Sequence, residues 1–214
     1  MFIIDRVMAR TRTSKAWMMQ HVNDPYVKRA SVEGMRSRAA YKLWQINEKD
    51  KLIKPGMRVV DLGAAPGGWS QVAGRIVAPA GRVIAIDLLE MAGLPGVTFI
   101  QGDFSEDAGL AALERELAGK PVDLVLSDMA PNISGIALSD QSRLMGLVEL
   151  ALDFATKHLK PRGNFLVKVF HGAGFDAYVT AMRGAFVQVQ TRKPDASRKG
   201  SREVYLLGKG LKRG

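Results

Sequence analysis

Cysteine is absent from the 214 residues, which excludes disulfide frameworks, thiolate zinc sites and cysteine nucleophiles together. The absence fits a reducing compartment, and the expected location is cytoplasmic. No run approaches the ~18 consecutive apolar residues of a membrane helix, and Asp5 and Arg6 stand where the apolar part of a secretory signal would continue. Internal repeats, low-complexity tracts and long linkers are missing as well. Histidine is scarce, and His21, His158 and His171 show no ligand-like clustering, so no metal is expected. What remains is an ordinary globular composition, 47% hydrophobic and 24% charged, which excludes wholesale disorder, collagen and coiled coil. A mass of 23.3 kDa suits one domain.

Acidic residues are outnumbered, 21 against 31 Lys and Arg, which leaves a net charge of +10. Residues 1–58 hold 13 basic and 5 acidic side chains, residues 59–188 hold 10 and 14, and residues 189–214 hold 8 and 2. A mildly acidic middle between basic ends suggests a catalytic or cofactor core flanked by segments that grip a polyanion through phosphate neutralisation and counterion release. Nucleic acid is the leading candidate, and a surface kept soluble by its charge is the plain alternative. The chain divides into a basic N-terminal arm, residues 1–32, and a single domain, residues 33–214. Met8, which opens the run Ala9–Lys15, is a second candidate start, and the arginines of this arm also suit a mitochondrial precursor.

From about Glu33 to Glu48, Ala39, Leu43 and Ile46 follow helical spacing, with Arg38 and Lys42 together on a neighbouring face. After Met57, short β-branched runs alternate with helical stretches, the signature of βαβ units around a parallel sheet. Strands are expected near 57–62, 82–87, 97–101, 122–127 and 164–170, with helices near 69–78, 108–118 and 142–159. The last of these helices should stop at Lys160, Pro161, Arg162 and Gly163. A helix near 174–184 precedes two further strands, Phe186–Thr191 and Glu203–Leu207, joined by the basic loop Arg192–Arg202. The fold class is α/β, with about seven strands.

The first strand runs into Asp61-Leu-Gly63-Ala-Ala-Pro-Gly67-Gly68-Trp69, a turn whose glycines let a ligand approach the backbone. Its spacing is not the G-x-G-x-x-G of dinucleotide sites, and it lacks the Lys and Ser/Thr of a P-loop. A merely tight strand-to-helix turn is the alternative. Asp61, Asp87, Asp103 and Asp128 each stand where a strand ends, and ligands of open α/β sheets lie outside those ends. Four carboxylates disfavour a polyphosphate and suit a cationic, hydroxyl-rich ligand. Asp87 can accept both ribose hydroxyls, Asp103 an adenine amine, and Asp128 can face an ammonium or sulfonium group. S-adenosylmethionine has all of these features. Taken singly, each Asp is more often a helix cap, and Ser105 or Asp107 can cap the third helix instead.

In Asn164-Phe-Leu-Val-Lys168-Val-Phe170 a lysine interrupts a strand that otherwise reads as buried on both faces. A buried ammonium is tolerated beside acidic partners, or as a partly neutral amine able to act as a general base. A strand-end lysine that snorkels to solvent is the alternative.

Five motifs in order, Ser37-Arg-Ala-Ala-Tyr-Lys42-Leu, the turn Asp61–Trp69, Ser127-Asp128-Met-Ala-Pro-Asn132, Val167-Lys168-Val-Phe170 and Ser201-Arg-Glu203-Val-Tyr205, resemble the RrmJ/FtsJ family of ribosomal RNA 2′-O-methyltransferases from about Trp17 to Leu207. The resemblance implies a Rossmann-like, S-adenosylmethionine-dependent fold: seven strands, mostly parallel, the last antiparallel, helices on both faces. It implies a catalytic tetrad of Lys42, Asp128, Lys168 and Glu203, and cofactor contacts at Gly63, Gly67, Trp69, Asp87, Asp103 and Asp128. The implied substrate is a uridine of large-subunit ribosomal RNA in the assembled subunit, and a monomer is expected. Met1–Val7 has no counterpart in the family pattern.

The chemistry is consistent with that tetrad. A ribose 2′-hydroxyl is a weak nucleophile while protonated, so positioning and proton removal are the tasks. Lys168 is the candidate base, Lys42 a second cation, and Asp128 and Glu203 orient the two ammonium groups. A protonated, purely positioning Lys168 remains the alternative. RNA is expected over Arg36, Arg38 and Lys42, the N-terminal arm, and Arg192, Lys193, Arg198, Lys199 and Arg202, with Trp17, Tyr26, Tyr41 and Trp44 available for stacking unless Trp44 is core. Two rivals stand beside this reading. Asp128-Met-Ala-Pro131 superficially resembles the Asp-Pro-Pro-aromatic loop of amine methyltransferases, lacking its second Pro and aromatic. A non-catalytic RNA-binding assembly factor is the other, and the intact tetrad argues against it.

Overall fold

The β-branched runs pair into one seven-stranded sheet in the computed structural model, which describes residues 22–130, 137–198 and 200–212. The arm up to Trp17, the Pro131-Asn132 end of its motif and Lys199 lie outside the described residues. The strands are β1 (Arg58–Leu62), β2 (Arg82–Asp87), β3 (Val97–Gln101), β4 (Val122–Ser127), β5 (Leu159–Phe170), β6 (Phe186–Arg192) and β7 (Glu203–Leu211), in the order β3-β2-β1-β4-β5-β7-β6. Neighbours from β3 across to β5 are parallel, and β7 runs antiparallel to both β5 and β6. The order reverses between β1 and β4, the switch point at whose carboxyl ends open α/β sheets form their ligand crevice.

Helices α1 (Pro25–Val32), α2 (Ala39–Asp50), α3 (Gly68–Val77), α4 (Asp107–Leu117), α5 (Ala137–His158) and α6 (Phe175–Ala185) flank the sheet. Successive strand residues point to opposite faces, and two cores follow from that alternation. Val59, Val83, Leu124, Leu126, Leu166 and Leu207 pack under Leu43 and Ile46 of α2 and Val72 of α3. Val60, Ile84, Val125, Phe165, Val167 and Leu206 pack on the other face under Leu113, Phe154 and Met182. Burying one such side chain is worth roughly 1.5–3 kcal/mol. Lys168 lies two residues beyond Leu166 and so emerges on the α2/α3 face, at the crevice.

Three local features differ from the expectations. Residues 25–32 are helical: Asp24 Oδ1 accepts from the Tyr26 amide at 2.9 Å as an N-cap, and Ala30 is buried against Tyr41 and Ala196. Helix α2 starts at Ala39 rather than near Glu33, because Gly34 takes a φ of +64° and the residues after it are hydrogen-bonded to α3. Helix α5 ends at His158, just before Lys160 as expected, but β5 begins at once with Leu159 instead of near residue 164. There Leu159 pairs with Val122, the register shifts before Leu124 meets Asn164, and Arg162 takes a φ of +66°. A Lys160–Asp123 ion pair of 2.8 Å pins the irregularity. No helix among the described residues is long and apolar enough to cross a membrane.

Candidate active site

The turn after β1 is shaped by two glycines. Gly63 has a φ of +76°, and a Cβ there would stand 2.6 Å from Met129 Cγ and 2.9 Å from Met129 Cα, so only hydrogen lets the ends of β1 and β4 meet. Gly67, with a φ of +103°, caps α3. The first amides of a helix have no intrahelical acceptor and point at whatever lies before it. Asp87 closes the turn from the side: its Oδ2 accepts from Ala65 N at 2.9 Å and its Oδ1 from Leu89 N at 2.8 Å. Each oxygen keeps a lone pair for a ligand. Asp103 Oδ1 accepts from the Ser105 amide and hydroxyl at 2.8 and 2.6 Å.

Two expected contacts are placed differently from the simplest reading. Asp61 is fully buried beneath the turn, with Ser70 donating to its Oδ2 at 2.6 Å, so it underlies the crevice that Asp87, Asp103 and Asp128 edge. Burial, against a partly compensating Ser70 hydrogen bond and with the Asp128 and Asp87 charges adding to it, pushes its carboxyl up to about 7. Trp69 is also buried, its indole N–H donating to Ala39 O at 2.8 Å, so its side chain joins α3 to α2. The backbone amide of Trp69 lies in the first turn of α3, where amides lack an intrahelical acceptor.

Four elements bring the tetrad together. Lys42 comes from α2, Asp128 follows β4, Lys168 lies in β5 and Glu203 begins β7. In the antiparallel β5–β7 ladder Lys168 faces Tyr205 and Phe170 faces Glu203, so Lys168, Tyr205 and Glu203 share one side of the sheet. Lys168 Nζ donates to Asp128 O at 2.6 Å and lies 3.1 Å from Asp128 Oδ1, with 8% of its side chain exposed. Lys42 Nζ lies 2.6 Å from Glu203 Oε1. The Lys168 amino group is therefore held by the backbone carbonyl and carboxylate of Asp128 and does not snorkel. Burial alone would raise the Glu203 carboxyl, but the charge and hydrogen bond of Lys42, with Ser197 and Lys168, prevail and hold it below its ordinary value.

Tyr205 joins the two ion pairs, a part the sequence reading did not give it. Its hydroxyl donates to Asp128 Oδ1 at 3.1 Å, its ring lies under Lys42 Nζ at 5.7 Å, and Trp69 packs 5.5 Å from it. Burial, then the Asp128 and Glu203 charges, raise the phenol well above its ordinary value, so it acts as a neutral donor. The available signal was its position two residues after Glu203 in a strand, which places both on one face.

The basic candidates separate into those engaged within the fold and those facing out. Arg36 donates to Pro66 O, Ala92 O and Gly93 O at 3.3, 2.6 and 2.7 Å. Arg38 is paired with Asp24 and Ala196 O. Arg192 forms a fork on Asp50 at 2.6 and 2.7 Å, and Lys193 Nζ donates to Ser201 O and Glu203 O at 2.5 and 2.7 Å. Arg202 is exposed and Arg198 half-buried. Tyr41 is buried against Tyr26, whereas Trp44 is 42% exposed and so is not core. Among the described residues, no three His, Asp or Glu side chains are grouped as metal ligands.

Comparison with known proteins identifies the family. A family model described as FtsJ-like methyltransferase matches residues 35–211. Ribosomal RNA large subunit methyltransferase E of Methylobacillus flagellatus is 64% identical over 201 residues, covering 94% of this chain and 97% of that protein. The protein of the same name from an Azoarcus species is 62% identical over 205 residues, covering 96% and 100%. A crystal structure from Plasmodium falciparum assigned as a ribosomal RNA methyltransferase superposes with a TM-score of 0.73 at 31% identity, over 82% of this chain and 98% of that one.

Proposed function

Because the chain belongs to the FtsJ-like methyltransferase family, we propose that it methylates the ribose 2′-hydroxyl of a uridine in large-subunit ribosomal RNA, in the assembled subunit, with S-adenosylmethionine as donor. The observation that carries the reading is the pair of linked ion pairs, Lys42–Glu203 and Lys168–Asp128, at the carboxyl ends of the strands. The names of the relatives support the RNA substrate.

The residues present fit the cofactor. The amides at the start of α3 suit its carboxylate, Asp87 its ribose hydroxyls, Asp103 its adenine amine and Asp128 its cationic end. When bound, it supplies a methyl group already activated by a sulfonium charge. The chain's own task is then to place the acceptor hydroxyl and take its proton. Lys168 Nζ, in its neutral form, accepts that proton. Asp128, through its backbone carbonyl and Oδ1, aims the amine. Lys42, held by Glu203, sets a cation beside the oxygen as it gains charge.

Radiolabelled S-adenosylmethionine supplied to large subunits lacking the modification, to free ribosomal RNA and to a protein control tests the reading. Label on a uridine 2′-oxygen is expected, and label on a base or on protein would overturn it. Lys168→Met should slow transfer by about 10²–10⁴-fold, the usual worth of a general base, with cofactor affinity kept. Asp87→Ala should instead weaken cofactor binding by roughly tenfold or more, the loss of a charge-assisted hydrogen bond. Equal cofactor affinity in the two variants would contradict this division of labour.

A further inference from the structure

Residues 34–39 lie along the start of α3 and are tied to it at several points. Gln71 Nε2 donates to Gly34 O at 2.8 Å, Gln71 Oε1 accepts from Arg36 N at 3.0 Å, and Trp69 donates to Ala39 O at 2.8 Å. Ser37 Oγ fills the place a Cβ on Gly68 would take. From this anchored backbone the Arg36 guanidinium reaches Pro66 O in the turn after β1, and Ala92 O and Gly93 O in the loop after β2. Near the strand ends the same two loops are joined by the Gly63 and Ala64 amides on Ile86 O, at 2.9 and 3.2 Å, and by Ala65 on Asp87. Arg36 joins them farther out, next to Met91, which is buried against Ala64 and Ala85.

We propose that Arg36 is a positioning residue of the cofactor site, its guanidinium fixing the distance between the turn that takes the amino-acid end of S-adenosylmethionine and the loop that follows the ribose-binding Asp87. This rests on the methyltransferase reading given above. A guanidinium offers five donors in a rigid fork and can hold three carbonyls from two loops at once, whereas an ammonium is a single point of donation. Its donors face protein carbonyls, so its effect falls on the cofactor and not on the phosphates of RNA.

Calorimetry of S-adenosylhomocysteine binding to RNA-free protein, paired with steady-state transfer and RNA-binding assays, tests this on Arg36→Met, which keeps the stem and loses every donor, and on Arg36→Lys. Losing charge-assisted hydrogen bonds should raise the S-adenosylhomocysteine Kd and the KM for S-adenosylmethionine about tenfold in Arg36→Met. Arg36→Lys should fall between it and wild type, while kcat at saturating cofactor and RNA affinity stay within about twofold. A cofactor Kd within about twofold of wild type in both variants, or a loss confined to RNA affinity, overturns the proposal. If thermal melting shows Arg36→Met to be poorly folded, Arg36→Lys alone decides by the same criteria. Wild-type protein that binds no S-adenosylhomocysteine would sink the methyltransferase reading itself, a separable failure.

Discussion

Asp61 is held at the end of β1 with one carboxyl oxygen accepting from Ser70 and the other, Oδ1, without a hydrogen-bond partner. Its folded value of about 7 lies above the ordinary 3.8, so the native state binds the proton more tightly than the unfolded chain does. This group's contribution to stability therefore falls as pH rises from about 4 to about 7 and is constant above that, by at most about 4 kcal/mol. Asp61→Asn should flatten the melting temperature across that window, and a scan in which the variant keeps the wild-type slope would refute the assignment. Gly63 makes a second test at this scale. Gly63→Ala combines a positive φ with a clash on Met129, the residue after Asp128, and should cost roughly 1–3 kcal/mol while slowing transfer. Chemical denaturation and a rate measurement check both effects.

Helix α2 carries Lys42 near its start, and its last residue, Asp50, fixes its far end. Asp50 pairs with Arg192 of β6 and with Lys209 of β7 at 2.7 Å, which aims the helix across the sheet. The Arg192 hydrogen bond, assisted by Lys209 and opposed by burial, lowers this carboxyl to about 2 from 3.8. The stabilisation is present above about pH 4 and lost as pH falls toward about 2, so Asp50→Asn should cost roughly 2–3 kcal/mol at neutral pH and little near pH 2. Urea titrations at the two pH values measure the difference. The strands were legible because β-branched runs such as Val59–Leu62 and Val83–Ile86 lie in the middle of a parallel sheet and need no alternation. That Lys42, Asp128, Lys168 and Glu203 are neighbours was legible through the motifs around them. Helix α1 was not, because only its Ala30 is buried and its docking rests on partners outside the helix, Tyr26 on Tyr41 and Asp24 on Arg38. The start of α2 and the passage from α5 into β5 were missed for a related reason: tertiary hydrogen bonds from Gln71 and an ion pair to Asp123 outweigh local pattern. The partners described above for Arg36, Arg38 and Arg192 lie 14 to 158 positions away, from Asp24 through Pro66 and Asp50 to Ala196, and no local spacing reveals them.

At the scale of the whole molecule, the 31 Lys and Arg overstate the cations free to meet RNA, since Arg38 and Arg192 are paired with Asp24 and Asp50. For the proposed RNA substrate, log affinity should fall with log salt by about 0.7 per single-stranded phosphate contacted. Arg202→Ala, at an exposed site before β7, should lower that slope by about one contact, whereas Arg192→Ala should leave the slope and reduce thermal stability. Binding curves at several salt concentrations, read beside melting curves, distinguish the two, and a flat salt response would remove the electrostatic account. The strand that slots antiparallel between β5 and β6 delivers both Glu203 and Tyr205. A nascent polypeptide whose synthesis has not yet passed this strand lacks Glu203 of the proposed tetrad, lacks Tyr205, and leaves β5 and β6 unbridged. On the proposed mechanism, competence is thus acquired late in biogenesis, and fragments cut short before this strand should be inert.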